Sequence, residues 1–216
     1  YRNAARLFAH HRDIFEISTG EGGTYSTYHA GYVHAVERQV QTRMQTPILP
    51  EHELRVIRPL SLHHGMGYYS RYFTTNGEDR LPVDYDLYRA MEIAFGHAGF
   101  MGDDVFPQHI PGPEAIAEYH LMRPVQAAYA DADLLAVEYW DNDRWISTEE
   151  GLQEGYDFVE ARIRLRYRNG LQIAVNFDRE RPWATEVCGQ AFELPPKGWA
   201  AVCPALGLTA YTAIVD

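Results

Sequence analysis

The feature that most constrains the fold is a strict alternation of apolar and charged residues over residues 159–167, in a predicted strand that begins at Phe158. Such alternation is typical of a β-strand with one buried face. Asn169-Gly170 follows, the residue pair that a type I′ hairpin turn favours. The return strand then carries apolar residues at Leu171, Ile173 and Val175. This stretch therefore predicts an antiparallel hairpin.

Residues 131–216 contain further strand and turn signals. The segment Leu194-Pro195-Pro196-Lys197-Gly198-Trp199 predicts a turn that leads into a strand over 200–202, and residues 208–215 predict a closing strand. Five or more antiparallel strands within about 85 residues predict a small antiparallel β-sandwich.

Residues 1–130 have a different pattern. Short apolar runs at 15–19, 58–65 and 98–101 predict strands that end in glycine, and helical spacing predicts helices at 28–44, 85–94 and 113–128. Strands that alternate with helices predict βαβ units and a parallel sheet. The expected class is therefore α/β plus all-β, with a domain boundary near residue 130.

Composition and charge exclude several classes of partner. The 216 residues carry 19 Lys and Arg against 30 Asp and Glu, a net charge of -11, which disfavours binding to nucleic acid. No window approaches the roughly 20 apolar residues of a membrane-spanning helix. Cys188 and Cys203 are too few for a disulfide scaffold, and their redox state stays open. The chain begins at Tyr1 without a signal segment, so we expect a processed or truncated start, and the compartment stays open.

Three predicted strands end in polar clusters flanked by glycine. These clusters are Thr19-Gly20-Glu21-Gly22-Gly23, His63-His64-Gly65 and Gly102-Asp103-Asp104. The carboxyl ends of parallel strands converge at one rim, where ligands bind. Glu21, which has glycines on both sides, is the candidate general acid/base or nucleophile, although the same segment also suits a solvated turn.

The remaining candidates would bind substrate. His63 or His64 would hydrogen-bond a sugar hydroxyl, Tyr68 would stack on a sugar, and His97 and Asp103 would complete the pocket. Each also has a structural interpretation as a packed or turn-forming residue.

A metal site and nucleotide cofactors are not expected. His63, His64, His97 and His109 with Asp103 have the chemistry of metal ligands but none of the spacings of a preformed site. No glycine-rich phosphate-binding motif follows a predicted strand, and no Gly-x-Ser-x-Gly elbow occurs.

The whole pattern resembles the carboxyl-terminal part of a glycoside hydrolase built on a (β/α)8 barrel with an appended β-sandwich. The resemblance rests on the segments around Glu21, around His63-His64 and over 94–102, and on the tail from Tyr167-Arg-Asn-Gly-Leu to Trp199. It implies the last three βα units of a barrel over 1–130 and the sandwich over 131–216.

The resemblance also implies cleavage of an oligosaccharide or polysaccharide by two carboxylates. Glu21 matches one of them, and the second would lie in a missing N-terminal barrel portion of the same chain, because a closed barrel needs eight units. The alternatives are a non-catalytic carbohydrate-binding protein and a metal-dependent hydrolase that uses the histidines. Trp183 and Trp199 would form a sugar platform or, as we prefer, cover a core, and Trp140 and Trp145 would contact the barrel.

Overall fold

The computed structural model describes residues 49–52, 54–55, 85–96, 113, 116, 118–158 and 160–213. These residues form helices and antiparallel sheets. The three longer α-helices are α1 (Tyr85–Phe95), α2 (Arg123–Ala130) and α3 (Thr148–Glu154). The short ones are a helical turn at Pro50–His52, a π-helical turn at Glu118–Met122 and a 3-10 turn at Pro204–Leu206.

In the described part of the chain, eight strands make up two sheets. They are β1 (Leu134–Asp141), β2 (Arg144–Ser147), β3 (Arg162–Tyr167), β4 (Gln172–Asn176), β5 (Trp183–Val187), β6 (Gln190–Leu194), β7 (Trp199–Cys203) and β8 (Leu208–Tyr211). One sheet has the order β2-β1-β3-β4-β7-β8, the other pairs β5 with β6, and every pairing is antiparallel. The predicted strands at 15–19, 58–65 and 98–101 and the predicted helix at 28–44 lie outside the described residues.

The hairpin predicted from the alternating pattern is present as β3 and β4. Ile163, Leu165 and Tyr167 are buried, whereas the arginines between them are not. The predicted type I′ turn is wrong. Within this turn only Gly170 has a positive φ, of 86°, and the Gly170 N–H donates to the Tyr167 carbonyl. The turn is therefore a three-residue loop over 168–170, closed by a left-handed glycine. Arg168 belongs to this loop, and its N–H donates to the Asp133 carbonyl.

The six-stranded sheet has two different faces. On β7, Trp199 and Ala201 pack into the core beneath the helices, whereas Ala200 and Val202 belong to a second apolar cluster. We call these sides the helix face and the outer face. Helix α1 packs against β4 on the helix face, and α2 packs against β8. The Asn169 side chain joins the β3–β4 turn to α2 by donating to the Ala128 carbonyl at 2.7 Å.

The β5–β6 hairpin covers only part of the outer face. Its Trp183, Val187 and Leu194 share an apolar cluster with residues of β4 and β7. Its turn residues, Cys188 and Gly189, both have positive φ, at 50° and 77°, as a two-residue type I′ turn requires. The hairpin packs on β4 and β7, and among the described elements it does not extend over the whole outer face of β1, β2 and β3.

The helix prediction over 85–94 is confirmed, and the described part of the one over 113–128 is helical and continues to Ala130. Pro124 lies near the start of α2 and follows a π-helical turn, which accommodates a residue without an N–H. Helix α3 was not predicted. It begins at a capping box formed by Ser147 and Glu150 and ends at the left-handed Gly155. None of the described helices combines the length and hydropathy needed to span a membrane.

The turn into β7 is held by buried polar groups. The Asn176 amide donates to the carbonyls of Arg181 and Pro195 at 2.9 and 3.0 Å. The predicted turn over 194–199 and the strand that follows it are confirmed. The closing strand predicted over 208–215 is present but ends earlier, at Tyr211, and residues 214–216 lie outside the described ones. Both cysteine thiols are free.

Candidate functional site

The six residues predicted as site residues all lie outside the described part of the chain. They are Glu21, His63, His64, Tyr68, His97 and Asp103. The expected convergence of these side chains at one rim of a parallel sheet therefore stays a prediction.

A groove of about 400 Å³ opens on the outer face, where the β5–β6 hairpin stops short of the sheet edge. We call it the tryptophan groove. One wall comes from the six-stranded sheet and the other from β5 and its turn. Its lining residues are Trp140, Trp145, Arg164, Gln172, Trp183, Ala184, Thr185, Glu186, Cys188 and Gly189. A volume of this order suits a small ligand or one unit of a polymer.

Three tryptophans from three strands line the groove. Trp140 of β1 and Trp145 of β2 are direct cross-strand partners, with ring centres 5.2 Å apart and planes at 67°. The Trp145 ring lies 5.9 Å from that of Trp183 on β5. Such tilted contacts hold aromatic rings in fixed orientations. Trp140 and Trp145 are half-buried, whereas Trp183 is 5% exposed and also packs in the cluster under the hairpin.

An arginine covers one of these rings. The Arg164 guanidinium carbon lies 4.1 Å from the Trp145 ring centre, a cation–π contact. Its Nε also donates to Glu138 at 3.0 Å, and Arg166 donates to the same carboxylate at 3.1 Å. One carboxylate therefore orients two arginines, and Arg164 is held in the groove in one position.

The rim of the groove is polar. The Gln172 side-chain oxygen accepts a long hydrogen bond from the Cys188 N–H at 3.4 Å. Glu186 is exposed and Thr185 half-buried, and neither side chain hydrogen-bonds to another described residue. Burial raises the pKa of the Cys188 thiol and the nearby Cys203 adds to this, so the thiol is protonated at neutral pH and is a weak nucleophile. These groups are suited to binding rather than to covalent chemistry.

The structure argues against the less favoured alternative, in which Trp183 and Trp199 together form a sugar platform. Trp199 is fully buried on the helix face, whereas Trp183 lies on the other side of the same sheet. The preferred interpretation of Trp199 as a core residue is confirmed. The predicted contact of Trp140 and Trp145 with the barrel stays a prediction, and the two rings pack on each other and toward Trp183. The alternation of side chains along β1 could have predicted that Trp140 faces outward. Val137 and Tyr139 face inward, and Trp140 lies next to Tyr139 on the opposite side of the strand.

Within the described residues, no group of three or more His, Cys, Asp or Glu side chains is placed to hold a metal ion. No protein-family model matches the chain, and neither a curated protein nor a solved structure matches it.

Proposed function

We propose that this chain is the carboxyl-terminal part of a glycoside hydrolase that cleaves glycosidic bonds with two carboxylates. Glu21 would be one of them and, as the acid/base, would protonate the leaving oxygen. Its partner would lie in sequence preceding Tyr1. In this proposal residues 1–130 supply the last three βα units of a (β/α)8 barrel. The two antiparallel sheets over 134–211 would together form its appended β-sandwich.

The burial of α1 is the observation that carries this proposal. Leu87, Met91 and Phe95 are at most 4% exposed, and two charged residues, Arg89 and Glu92, are also buried. A helix buried on several sides packs between two layers rather than at the surface. The last helices of a barrel have this position when an appended β-sandwich packs on the barrel from outside.

The test is hydrolysis of oligosaccharides by the parent protein that contains this chain. We expect Glu21→Gln to abolish turnover and to leave sugar binding intact, because glutamine keeps the shape of glutamate but cannot act as a general acid or base. Asp13→Asn is the matched control and should keep activity. Asp13 is an acidic residue that precedes the predicted strand at 15–19, whereas Glu21 follows it. Full activity of Glu21→Gln would remove Glu21 from the mechanism.

One observation favours a second candidate, a non-catalytic carbohydrate-binding protein. The tryptophan groove offers aromatic surface and polar groups, and its lining holds one carboxylate, Glu186, instead of the two that glycoside hydrolysis uses. Sugar binding without hydrolysis by the parent protein would support this candidate over the first. The third alternative, a metal-dependent hydrolase, depends on His63, His64, His97 and His109, and stoichiometric metal after dialysis of the parent protein would favour it.

A further inference from the structure

We infer that the tryptophan groove is a binding site for one neutral pyranose unit of a glycan chain. The inference deepens the proposed function, on which it rests for the class of ligand, and it places sugar binding more than 100 residues after Glu21 in the chain. Residues of β1, β2, β3, β4 and β5 all contribute to the site.

The walls of the groove match the faces of a sugar ring. A pyranose presents C–H groups on its faces and hydroxyls around its edge. Indole rings offer a large, rigid apolar surface for such C–H groups. Trp140 and Trp145 are only half-buried although both are large and apolar, so burial of their remaining surface by a ligand is favourable.

The polar groups match the hydroxyls at the edge of the ring. A hydroxyl both donates and accepts hydrogen bonds, and the groove provides both functions. Arg164 is a fixed donor, Glu186 is an acceptor, and the Gln172 amide and Thr185 hydroxyl are able to donate. A pocket of apolar rings with a few oriented polar groups is the usual composition of a small-molecule site.

The charges favour a neutral ligand over an anion. Arg164 is already paired with Glu138, whose carboxylate lies 2.9 Å from the Arg164 guanidinium. Glu186 adds a negative charge at the rim. A phosphate or carboxylate ligand would therefore meet one neutralised arginine and one repelling carboxylate.

A peptide strand added to the edge of β5 that pairs with no described strand is the competing occupant. In a hairpin with a two-residue turn, the residue pair next to the turn, Val187 and Gln190, shares its backbone hydrogen bonds. The backbone groups of Ala184 and Glu186 therefore point to the open edge. Two residues give few hydrogen bonds for a strand, and rigid indoles replace the row of side-chain pockets that such peptides use.

The test is calorimetric titration of the full chain with maltohexaose, cellohexaose, xylohexaose and N-acetylchitohexaose. We expect at least one of them to bind. Trp140→Ala should weaken that binding at least tenfold and Glu186→Ala at least threefold. Tyr211→Ala removes an aromatic side chain that is 50% exposed on the same face but outside the groove, and it should leave affinity unchanged. Trp140→Phe, which keeps an aromatic ring, should lie between wild type and Trp140→Ala.

Equal affinity in wild type and in folded Trp140→Ala would overturn the inference, as would the absence of binding by all four sugars. Selection of decapeptides whose binding depends on Trp140, without sugar binding, would assign the groove to peptides and would also overturn it. The same titrations in the Glu21→Gln parent protein separate the two proposals. Hydrolysis that survives Glu21→Gln, together with Trp140-dependent binding, defeats only the catalytic assignment. Lost hydrolysis with Trp140-independent binding defeats only the groove.

Discussion

The Arg164 guanidinium lies 4.1 Å from the centre of the Trp145 ring while its own Nε donates to Glu138. The contact joins β2 to β3, which are not hydrogen-bonded to each other but both pair with β1. Arg164 therefore both closes one side of the groove and links two strands across the outer face. The partial burial of both partners, with 25% of the Arg164 side chain exposed, limits screening by solvent.

Replacement of Arg164 should destabilise the fold more than replacement of its neighbour Arg166. Arg164→Gln loses the cation–π contact and one partner of Glu138, and we expect a loss of about 1 kcal/mol of unfolding free energy. Arg166→Gln loses only a contact to Glu138 from a side chain that is 46% exposed, and we expect less than about 0.5 kcal/mol. Urea denaturation at constant slope measures both. Equal losses would show that the indole contact adds nothing.

Replacement of Asn176 should be among the most destabilising changes in the two antiparallel sheets. Its buried amide donates to the Arg181 and Pro195 carbonyls, and its oxygen accepts from the Asp178 N–H. Asn176→Ala leaves these backbone groups without their partner, and we expect a loss of about 2–3 kcal/mol. The exposed Gln190→Ala is the control, expected within about 0.5 kcal/mol of wild type. A loss for Asn176→Ala as small as that of the control would contradict the role given to this amide.

Acid should weaken the fold partly through Asp178. Burial acts to raise the pKa of this carboxyl, but hydrogen bonds from the Glu180 and Arg181 N–H groups and from the Arg181 side chain outweigh it and lower the pKa below 3.8. A lowered folded pKa means that the stabilisation is present above the unfolded pKa, near pH 4, and is lost as the pH falls through the folded value. We therefore expect Asp178→Asn to reduce the dependence of unfolding free energy on pH below about pH 4.

The measurement is urea denaturation between about pH 2.5 and pH 7, a range that brackets the ordinary carboxyl pKa. Asp143→Asn, in the exposed β1–β2 turn, controls for the loss of one carboxylate. If wild type and Asp178→Asn have the same acid slope, Asp178 is not linked to folding in this way.

The β5–β6 turn should accept a stabilising substitution. Cys188 has φ of 50°, a left-handed conformation that costs most side chains energy but suits asparagine. Because Asn-Gly is the favoured type I′ pair, we expect Cys188→Asn to raise the unfolding free energy by about 0.5–1 kcal/mol. Cys188→Ser, which is similar in size but lacks the preference, should give no gain. A melting temperature of Cys188→Asn at or below that of Cys188→Ser would refute the assignment of a type I′ turn at Cys188-Gly189.

Local patterns predicted most of the strands that alternate clearly. Residues 162–167 show period-two burial because each strand residue points to the opposite side from its neighbour, and this follows from the sequence alone. The turn type was not predictable from Asn169-Gly170. The pair also fits a three-residue loop, and the hydrogen bond from the Asn169 amide to the Ala128 carbonyl on α2 belongs to the loop that forms.

The sequence pattern thus determined two features. The alternation of apolar residues in β3 and β4 determined antiparallel strands in the second half, and helical spacing determined a helix with an apolar stripe in the region of α1. Tertiary structure alone decided which tryptophans share a surface. Trp183 and Trp199 are close in sequence, yet Trp199 lies on the helix face of the six-stranded sheet and Trp183 belongs to the hairpin that packs on its outer face. Trp140 and Trp183, by contrast, line the same groove across more than 40 residues of chain. Periodicity fixes the side of a strand on which a residue lies, but strand order and the placement of the β5–β6 hairpin fix its neighbours, and both depend on long-range packing.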